Sequence, residues 1–491
     1  MYSRRRFLLG SGSAAASAWL VSCSGSSSSS SGTGSTGSTT PPPQPASLYH
    51  YITTGQSLAT GTQGQPGLST AQPFSNVMFT FPNTPAFADT PIDFNAVTNG
   101  YTGITFRPLL GGPSISGANG THETIANGFA DSLTAEGAAY KQLLSCSGVQ
   151  GTAYSGLAGP TDYPPSGSPS FLEMMSQVST GMALAKAAGL VYSVPAMVLI
   201  HGEFDGGNFN YATNLATWQS DMQKGVNATT GGSGVIPMIQ AQTQAQTASL
   251  GGADTIPFHP NAGGLGTVAA AIANPGLIYV ACPEYMMAHH YYEDAAGNPD
   301  PLGQPIHMTA DGYRHLGLMM AKAAKAICID KTGWLPVVPK TLSLRGNLIR
   351  IEYNVPVEPL VIDTSYVTDP GNYGFVFTDD YYTTTTFTSI TGVAVTGPAE
   401  ITVSLSAAAG AGFLTYALVD PGPVNDGVPV GQGFGPTAGP RGCVRDSDPT
   451  VSYYKNSVTG QPYPMQNYSV AWQSVLLQGQ TLPYPTFIMP A

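Results

Sequence analysis

The sequence has few charged side chains. Asp, Glu, Lys and Arg make up 9% of its 491 residues, and the formal net charge is -11. A chain with so little basic surface cannot neutralise the phosphates of a nucleic acid, so nucleic acid is excluded as a partner. The sequence also lacks a glycine-rich phosphate loop, a dinucleotide fingerprint and a paired-cysteine zinc motif. We therefore expect no cofactor and no metal.

Cysteine is scarce as well. The chain has five cysteines, and they are widely spaced. This spacing is not typical of a small domain stabilised by disulfides. Besides Cys23, one or two disulfides would be possible in an oxidising compartment, and the sequence leaves their pairing open among Cys146, Cys282, Cys328 and Cys443.

Residues 1–23 have the pattern of an export signal. Three arginines, Arg4–Arg6, precede an apolar stretch, Phe7–Val21, that is short for a membrane span. Residues 3–8 resemble a twin-arginine export signal, and residues 20–23 resemble a bacterial lipobox, in which the cysteine is lipidated. The resemblance implies a periplasmic or cell-surface lipoprotein that is attached to the membrane through Cys23. An ordinary secretory signal with a chance cysteine is the alternative.

The composition divides the rest of the chain into three segments. Residues 24–46 are nearly all Ser, Gly, Thr and Pro, which cannot bury enough apolar surface to fold, so we predict a disordered linker. The remaining length exceeds one typical domain. We predict an α/β domain over residues 47–335 and a smaller all-β domain over residues 336–491.

Short apolar runs alternate with helical periodicity in residues 47–335, a pattern that predicts a parallel sheet with helices on both faces. The predicted strands are Leu48–Thr53, Ala196–Ile200, Val235–Ala241 and Leu277–Ala281. The predicted helices are Phe171–Ala188, Tyr211–Asn227 and Ala310–Cys328, and Thr309 is a suitable N-cap for the last.

Beyond Pro336 the sequence changes to short strand-like runs divided by Gly, Pro and Asp turns, which predicts the all-β domain. The strand-forming segments are Leu342–Tyr353, Phe375–Phe377, Ile390–Val395, Glu400–Leu405 and Gly412–Val419.

Reactive side chains follow the predicted strands. The first strand is followed directly by Ser57, which can present its hydroxyl at the edge of the sheet, where open α/β sheets bind their ligands. The strand Ala196–Ile200 is followed by His201, Glu203 and Asp205, and burying three such groups is costly unless they are paired or used. His307 lies just before the last helix and can reach the same edge.

Three motifs together resemble the SGNH hydrolases, specifically the sialate O-acetylesterase-like carbohydrate esterases. They are Gly-Gln-Ser at residues 55–57, Gly-Glu-x-Asp at 202–205 and Ile-His-x-Thr-x-Asp-Gly-Tyr-x-x-Leu-Gly at 306–317. The resemblance implies a flavodoxin-like three-layer α/β/α fold and hydrolysis of esters, commonly acetyl groups on sugars. It also implies Ser57 as nucleophile and His307 as general base.

The resemblance further implies an oxyanion hole and a substrate. The backbone N–H of Ser57 is one donor, Gly128 is the candidate for a second, and His201 occupies the position that is usually an amide donor. Glu203 is expected to help position the oxyanion hole together with these residues. The implied substrate is an acylated polysaccharide or oligosaccharide.

One position departs from the family pattern. The acid that orients the histidine usually lies three residues before it, and that residue here is Gln304. The site is then a dyad oriented by an amide, or the acid comes from elsewhere, with Asp300 the nearest candidate. A catalytically silent carbohydrate- or surface-binding protein on the same fold is therefore an alternative function, and a lipase or thioesterase of the same superfamily is another.

Overall fold

A computed structural model describes residues 46–80, 104–113, 121–243, 261–291, 305–378, 388–419 and 433–485. These residues belong to one compact unit, Pro45–Ala491. The predicted export signal, Cys23 with its predicted lipid and the predicted linker up to residue 45 lie outside the described residues, and so do Asp300 and Gln304. No helix among the described residues is long and apolar enough to cross a membrane.

The first part of the chain forms an open, mostly parallel sheet. Its strands are β1 (Ser47–Gly55), β2 (Val77–Thr80), β3 (Thr105–Pro108), β6 (Lys141–Cys146), β7 (Val191–Ser193), β8 (Met197–Ile200), β9 (Met238–Gln242) and β10 (Ile278–Pro283). The strands β4 (Gly112–Pro113) and β5 (Thr121–His122) form a separate antiparallel pair. The order across the sheet is β10, β9, β8, β1, β6, β2, β3, and β7 also pairs with β1. Every pair in this sheet is parallel except β2 with β3. The five neighbouring strands β6, β1, β8, β9 and β10 therefore follow the flavodoxin-like order 2-1-3-4-5.

Helices cover both faces of this sheet. They are α1 (Ser57–Thr60), α2 (Ile125–Ala135), α3 (Pro169–Ala187), α4 (Tyr211–Thr230), α5 (Ala262–Ala273) and α6 (Ala310–Ala324), which continues as a π-helical turn, Lys325–Ile329. Successive side chains of a strand point to opposite faces. Accordingly, Val198 and Ile200 pack in one core with α2 and α6, whereas Met197 and Leu199 pack in another with α3 and α4.

The predicted elements of the α/β part are confirmed to within a few residues at their ends. Local chemistry sets two of the helix starts. The Ser168 hydroxyl accepts a hydrogen bond from the backbone N–H of Phe171, and the Thr309 hydroxyl accepts one from Gly312. The sequence analysis missed the other labelled elements of this part, which are β2 to β7, α1, α2 and α5.

The second part of the chain is built from short antiparallel strands, namely β11 (Val338–Arg345), β12 (Leu348–Asn354), β13 (Val361–Ile362), β14 (Phe375–Thr378), β15 (Ile390–Gly397), β16 (Glu400–Leu405), β17 (Ala411–Tyr416), β18 (Val444–Arg445), β19 (Val451–Lys455), β20 (Pro462–Pro464), β21 (Trp472–Leu477) and β22 (Thr481–Pro483). The larger sheets have the orders β15-β16-β12-β11-β22 and β14-β17-β21. The predicted segment Leu342–Tyr353 lies in the hairpin of β11 and β12. Gly346 allows the two-residue turn between these strands, because it takes the positive φ, +63°, that such turns need. The predicted fold class is confirmed.

The α/β part and the β-rich part share one hydrophobic core, which contains Tyr285 from the first and Trp472 from the second. Hydrogen bonds also cross between them. The Gln242 side chain donates to the Ala471 carbonyl at 2.8 Å and accepts from its N–H at 2.7 Å. The boundary between residues 335 and 336 stays a prediction.

The four cysteines in the described part of the chain, Cys146, Cys282, Cys328 and Cys443, form no disulfide with one another. The disulfides that the sequence allowed among them are therefore not formed.

Candidate active site

Ser57 lies at the point where the order of the parallel strands reverses, between β1 and β8. Gly55 ends β1 with a φ of +135°, and a Cβ there would lie 1.9 Å from the carbonyl oxygen of Ile200. Only glycine fits this close approach of the two strand ends. The N–H of Gln56 donates to the same carbonyl at 3.2 Å, and α1 begins at Ser57. The strand ends thus place the serine hydroxyl at the binding edge of the sheet.

His307 faces Ser57 from the other side of the site. Its Nε2 lies 2.9 Å from Ser57 Oγ, although the two residues are 250 positions apart in the chain. The backbone around the histidine is fixed, because the N–H of His290 donates to the His307 carbonyl at 2.9 Å and Thr309 caps the start of α6. A hydroxyl in hydrogen-bond contact with an imidazole is the arrangement of an activated nucleophile and its base.

Gln63 holds the other side of the imidazole. Its side-chain oxygen, Oε1, lies 2.9 Å from His307 Nδ1. An amide oxygen can only accept, so Nδ1 carries the proton and Nε2 presents its lone pair to Ser57 Oγ. The orienting group among the described residues is therefore a neutral amide, and the sequence analysis missed it because it sought this group on the segment before His307.

The backbone at Gln63 is held in an unusual conformation. Its φ is +62°, in the left-handed region that non-glycine residues rarely adopt. Hydrogen bonds on both sides keep it there. The Tyr313 hydroxyl donates to the Thr62 carbonyl at 2.6 Å, Gln150 donates to the Thr62 hydroxyl at 2.7 Å, and His290 Nε2 donates to the Gln63 carbonyl at 3.0 Å. The surrounding structure thus directs this side chain to His307.

The imidazole of His307 is a weak base in this setting. Burial, and then the electrostatic effect of the neighbouring His290 imidazole, lower its pKa to about 4. A buried imidazole without a neighbouring negative charge favours its neutral form. His307 is therefore neutral, with Nε2 free to accept a proton, at all pH values well above 4.

Donors for a developing negative charge come from the start of α1. The first N–H groups of a helix have no partner within the helix, and those of Ser57 and Leu58 are the first of α1. The oxyanion that forms when Ser57 attacks a carbonyl carbon would lie beside them.

The structure gives His201 another role. It is buried, its Nδ1 lies 2.7 Å from the Tyr211 hydroxyl, and its Nε2 lies 3.0 Å from the Thr152 carbonyl oxygen. The carbonyl can only accept, so the ring proton is on Nε2 and points to Thr152. Burial also lowers its pKa, which keeps the ring neutral. His201 has no N–H left for an oxyanion, which corrects the role expected of it.

Glu203 joins the ends of two neighbouring strands. It is fully buried after β8, and its Oε1 accepts a hydrogen bond from the Thr243 hydroxyl after β9 at 2.5 Å. The next residue, Phe204, donates its N–H to the side-chain oxygen of Gln56 at 3.2 Å. The segment that carries Glu203 therefore contacts the residue directly before Ser57.

Gly128 lies in a contact between two helices. A Cβ on this residue of α2 would lie 2.4 Å from the Arg314 carbonyl oxygen in α6, and a Cβ on Gly317 would lie 2.2 Å from the Ile125 carbonyl oxygen. The two glycines allow the helix backbones to approach closely. Packing accounts for Gly128, so the structure corrects its expected role as an oxyanion donor.

We expect Gly128→Ala to lower the free energy of unfolding by about 1–3 kcal/mol, because the added methyl forces the two backbones apart. Urea unfolding measures this, and kcat per folded molecule is expected to stay within about twofold of the wild type. Gly225→Ala is the control, since its Cβ would meet the flexible end of Met175 and the edge of the Phe171 ring at 3.3 Å, and no backbone atom of another element. If Gly128→Ala unfolds like the wild type but loses most of its kcat, the packing explanation is wrong and Gly128 is an oxyanion donor.

Among the described residues, no three His, Cys, Asp or Glu side chains are grouped so that they could hold a metal ion. Near Ser57, His289 Nδ1 is hydrogen-bonded to the Met287 carbonyl and His290 Nε2 to the Gln63 carbonyl. Backbone carbonyls thus engage one nitrogen of each of these adjacent histidines.

The fold resembles solved structures. A carbohydrate acetylesterase from Xanthomonas citri matches with a TM-score of 0.52 at 13% identity, over 87% of this chain and 80% of that one. A protein from Arabidopsis thaliana and the protein NanS match with TM-scores of 0.37 at 13% and 14% identity, over 58% of this chain and 100% and 97% of theirs. No protein-family model and no curated protein matches the chain. At this identity the first likeness shows a shared fold and nothing finer.

Proposed function

We propose that this protein is a serine esterase that removes acetyl or similar small acyl groups from carbohydrate through an acyl-enzyme. The observation that carries the proposal is the 2.9 Å contact between Ser57 Oγ and His307 Nε2, with the imidazole tautomer fixed by Gln63. A pure binding protein has no need of a nucleophile beside a correctly protonated base.

The reaction has two halves. Ser57 Oγ attacks the ester carbonyl carbon while His307 Nε2 takes its proton, and the tetrahedral intermediate places its negative charge beside the first N–H groups of α1. As the intermediate collapses, His307 returns the proton to the departing sugar oxygen, and the acyl group stays on Ser57. Water then attacks the acyl-enzyme, with His307 again accepting and returning one proton, and releases the carboxylic acid.

A fluorogenic aryl acetate and an acetylated polysaccharide test the proposal with the purified full-length chain. Wild type is expected to release acetate from both. A serine-directed phosphonate is expected to label Ser57 and stop the reaction. A chain that releases no acetate and takes no label would instead support the catalytically silent binding protein that the sequence analysis left open because of Gln304.

The pH dependence of kcat/KM should reveal the unusual base. Protonated His307 has no lone pair for the Ser57 proton, so activity is expected to fall as pH decreases through the pKa of about 4 and to be flat from about pH 5.5 to 8. Initial rates on the aryl acetate from pH 3 to 9 measure this, with tryptophan fluorescence monitoring folding. An acidic limb near the ordinary histidine value of about 6.5 would mean that a carboxylate contacts His307.

The location of the enzyme is also a proposal. The export signal and lipobox resemblance supports a chain that is attached to a membrane outside the cytoplasm through a lipid on Cys23. Metabolic labelling with an alkyne fatty acid is expected to label the wild type and not Cys23→Ser. Equal labelling of both would contradict the anchor.

A further inference from the structure

Two phenylalanine rings are exposed on the loop that follows β8. Phe204 is 58% exposed and Phe209 is 59% exposed, and no other described phenylalanine is among the large exposed apolar side chains. Single exposed apolar residues are common on protein surfaces. Two of the bulkiest apolar rings on one six-residue segment beside a nucleophile call for a more specific explanation.

Hydrogen bonds hold the backbone of this loop in one conformation, in which both rings stay exposed. The buried Asp205 carboxylate accepts hydrogen bonds from the Tyr154 N–H at 2.7 Å and from the Asn208 side chain at 2.8 Å. The Ala262 N–H donates to the Gly206 carbonyl at 2.8 Å. A preorganised loop that displays apolar rings is a feature of binding surfaces, since little conformational entropy is lost on binding.

The loop is also joined to the catalytic residues. The N–H of Phe204 donates to the side-chain oxygen of Gln56, which immediately precedes Ser57. A polymer whose ester lies at Ser57 would therefore have its neighbouring units beside this loop. The segment that carries Phe204 and Phe209 is therefore in direct contact with the residue before the proposed nucleophile.

The loop carries little charge. Residues 201–210 contain no Lys or Arg, and the Asp205 carboxylate is 7% exposed and bonded inward. The exposed side chain of Asn210 adds a neutral hydrogen-bonding group next to Phe209. Flat apolar rings beside an uncharged amide suit the C–H faces and hydroxyl edges of neutral pyranose units, and they offer nothing to an anionic or cationic chain.

We propose that Phe204 and Phe209 form a binding surface for an uncharged glycan chain, and that they pack against sugar units next to the acylated one. This inference rests on the proposed esterase function and adds the class of its substrate. It makes both residues determinants of specificity for a polymer over a small ester.

The test compares wild type with the double variant Phe204→Ala/Phe209→Ala on acetylated xylan, acetylated glucomannan and the aryl acetate. Both residues are largely exposed, and the Phe204 backbone hydrogen bond survives the change, so the variant should fold normally. We expect the ratio of kcat/KM on the polymer to kcat/KM on the aryl acetate to fall about tenfold for at least one polysaccharide, through a higher KM. Tyr453→Ala removes a 45% exposed ring from β19 and is expected to leave the ratio unchanged.

Failure of this inference can be told apart from failure of the proposed function. If wild type hydrolyses the aryl acetate but the ratio is the same in the double variant for both polysaccharides, the glycan surface is wrong and the esterase remains. If wild type hydrolyses nothing, the glycan surface is tested by comparing the migration of wild type and the double variant in gels that contain the deacetylated polysaccharides. Retardation of wild type that is lost in the double variant supports the surface, and equal migration of the two overturns it.

Discussion

Ser57→Ala is expected to lower kcat/KM for the aryl acetate by roughly 10⁴- to 10⁶-fold, the range found when a catalytic serine is removed from a serine hydrolase. The cause is direct, because Ser57 Oγ is the hydroxyl within 2.9 Å of the His307 lone pair and would form the acyl-enzyme. Initial rates with and without the phosphonate label measure it, and the variant should take no label.

Ser147→Ala is the matched control for this experiment. Ser147 is also a buried serine directly after a strand of the sheet, but its hydroxyl has no hydrogen-bond partner among the described residues. It should keep wild-type activity and label normally. If Ser57→Ala kept more than about a tenth of the wild-type rate, the acyl-enzyme mechanism at this residue would be refuted.

The second large effect is expected at Gln63. Gln63→Leu keeps the size of the side chain but removes the acceptor for His307 Nδ1–H, so the imidazole is free to adopt the wrong tautomer. A triad whose orienting residue no longer fixes the tautomer loses about 10⁴-fold in kcat. We expect a loss of roughly 10²- to 10⁴-fold here, because the amide stabilises imidazolium less than a carboxylate does. Steady-state kinetics at pH 8 measure it.

Gln63→Glu is expected to act in the opposite direction. A carboxylate in the same place stabilises the imidazolium form of His307, so its pKa should rise from about 4 by roughly 1–3 units. The acidic limb of kcat/KM would move to higher pH by the same amount. At pH 8, kcat is expected to increase about tenfold, since each pKa unit is worth about 1.4 kcal/mol of added imidazolium stabilisation.

Two further variants decide whether Gln63 alone orients the base. Asp300→Asn and Gln304→Leu alter the two residues that the sequence analysis proposed for this role, both of which lie outside the described residues. If Gln63 is the orienting group, both should leave the pH profile of kcat/KM unchanged. A shift of the acidic limb in Asp300→Asn together with a wild-type profile in Gln63→Leu would assign the role to Asp300.

Much of the fold could be predicted because its signals are local. The strand β8 is a short, continuous apolar run, and α6 combines an apolar periodicity with Thr309 at its start. Elements that lack such a signal were missed. For example, the buried stretch of α2 contains Asn, Gly, Asp and Ser, which interrupt its apolar periodicity. Asn127 and Asp131 can be buried there because residues far away in the chain supply their hydrogen-bond partners.

The sequence by itself determined that Ser57 follows a strand of an open sheet and that His307, just before the last helix, can meet it at the edge where the strands end. Only the tertiary structure decided what surrounds them. Gln63 turns to His307 through a left-handed backbone held by Tyr313 and His290, and His201 turns its proton to a backbone carbonyl. The physical reason is that a hydrogen-bond partner is selected by distance and direction in space, and residues far apart in the chain supply both.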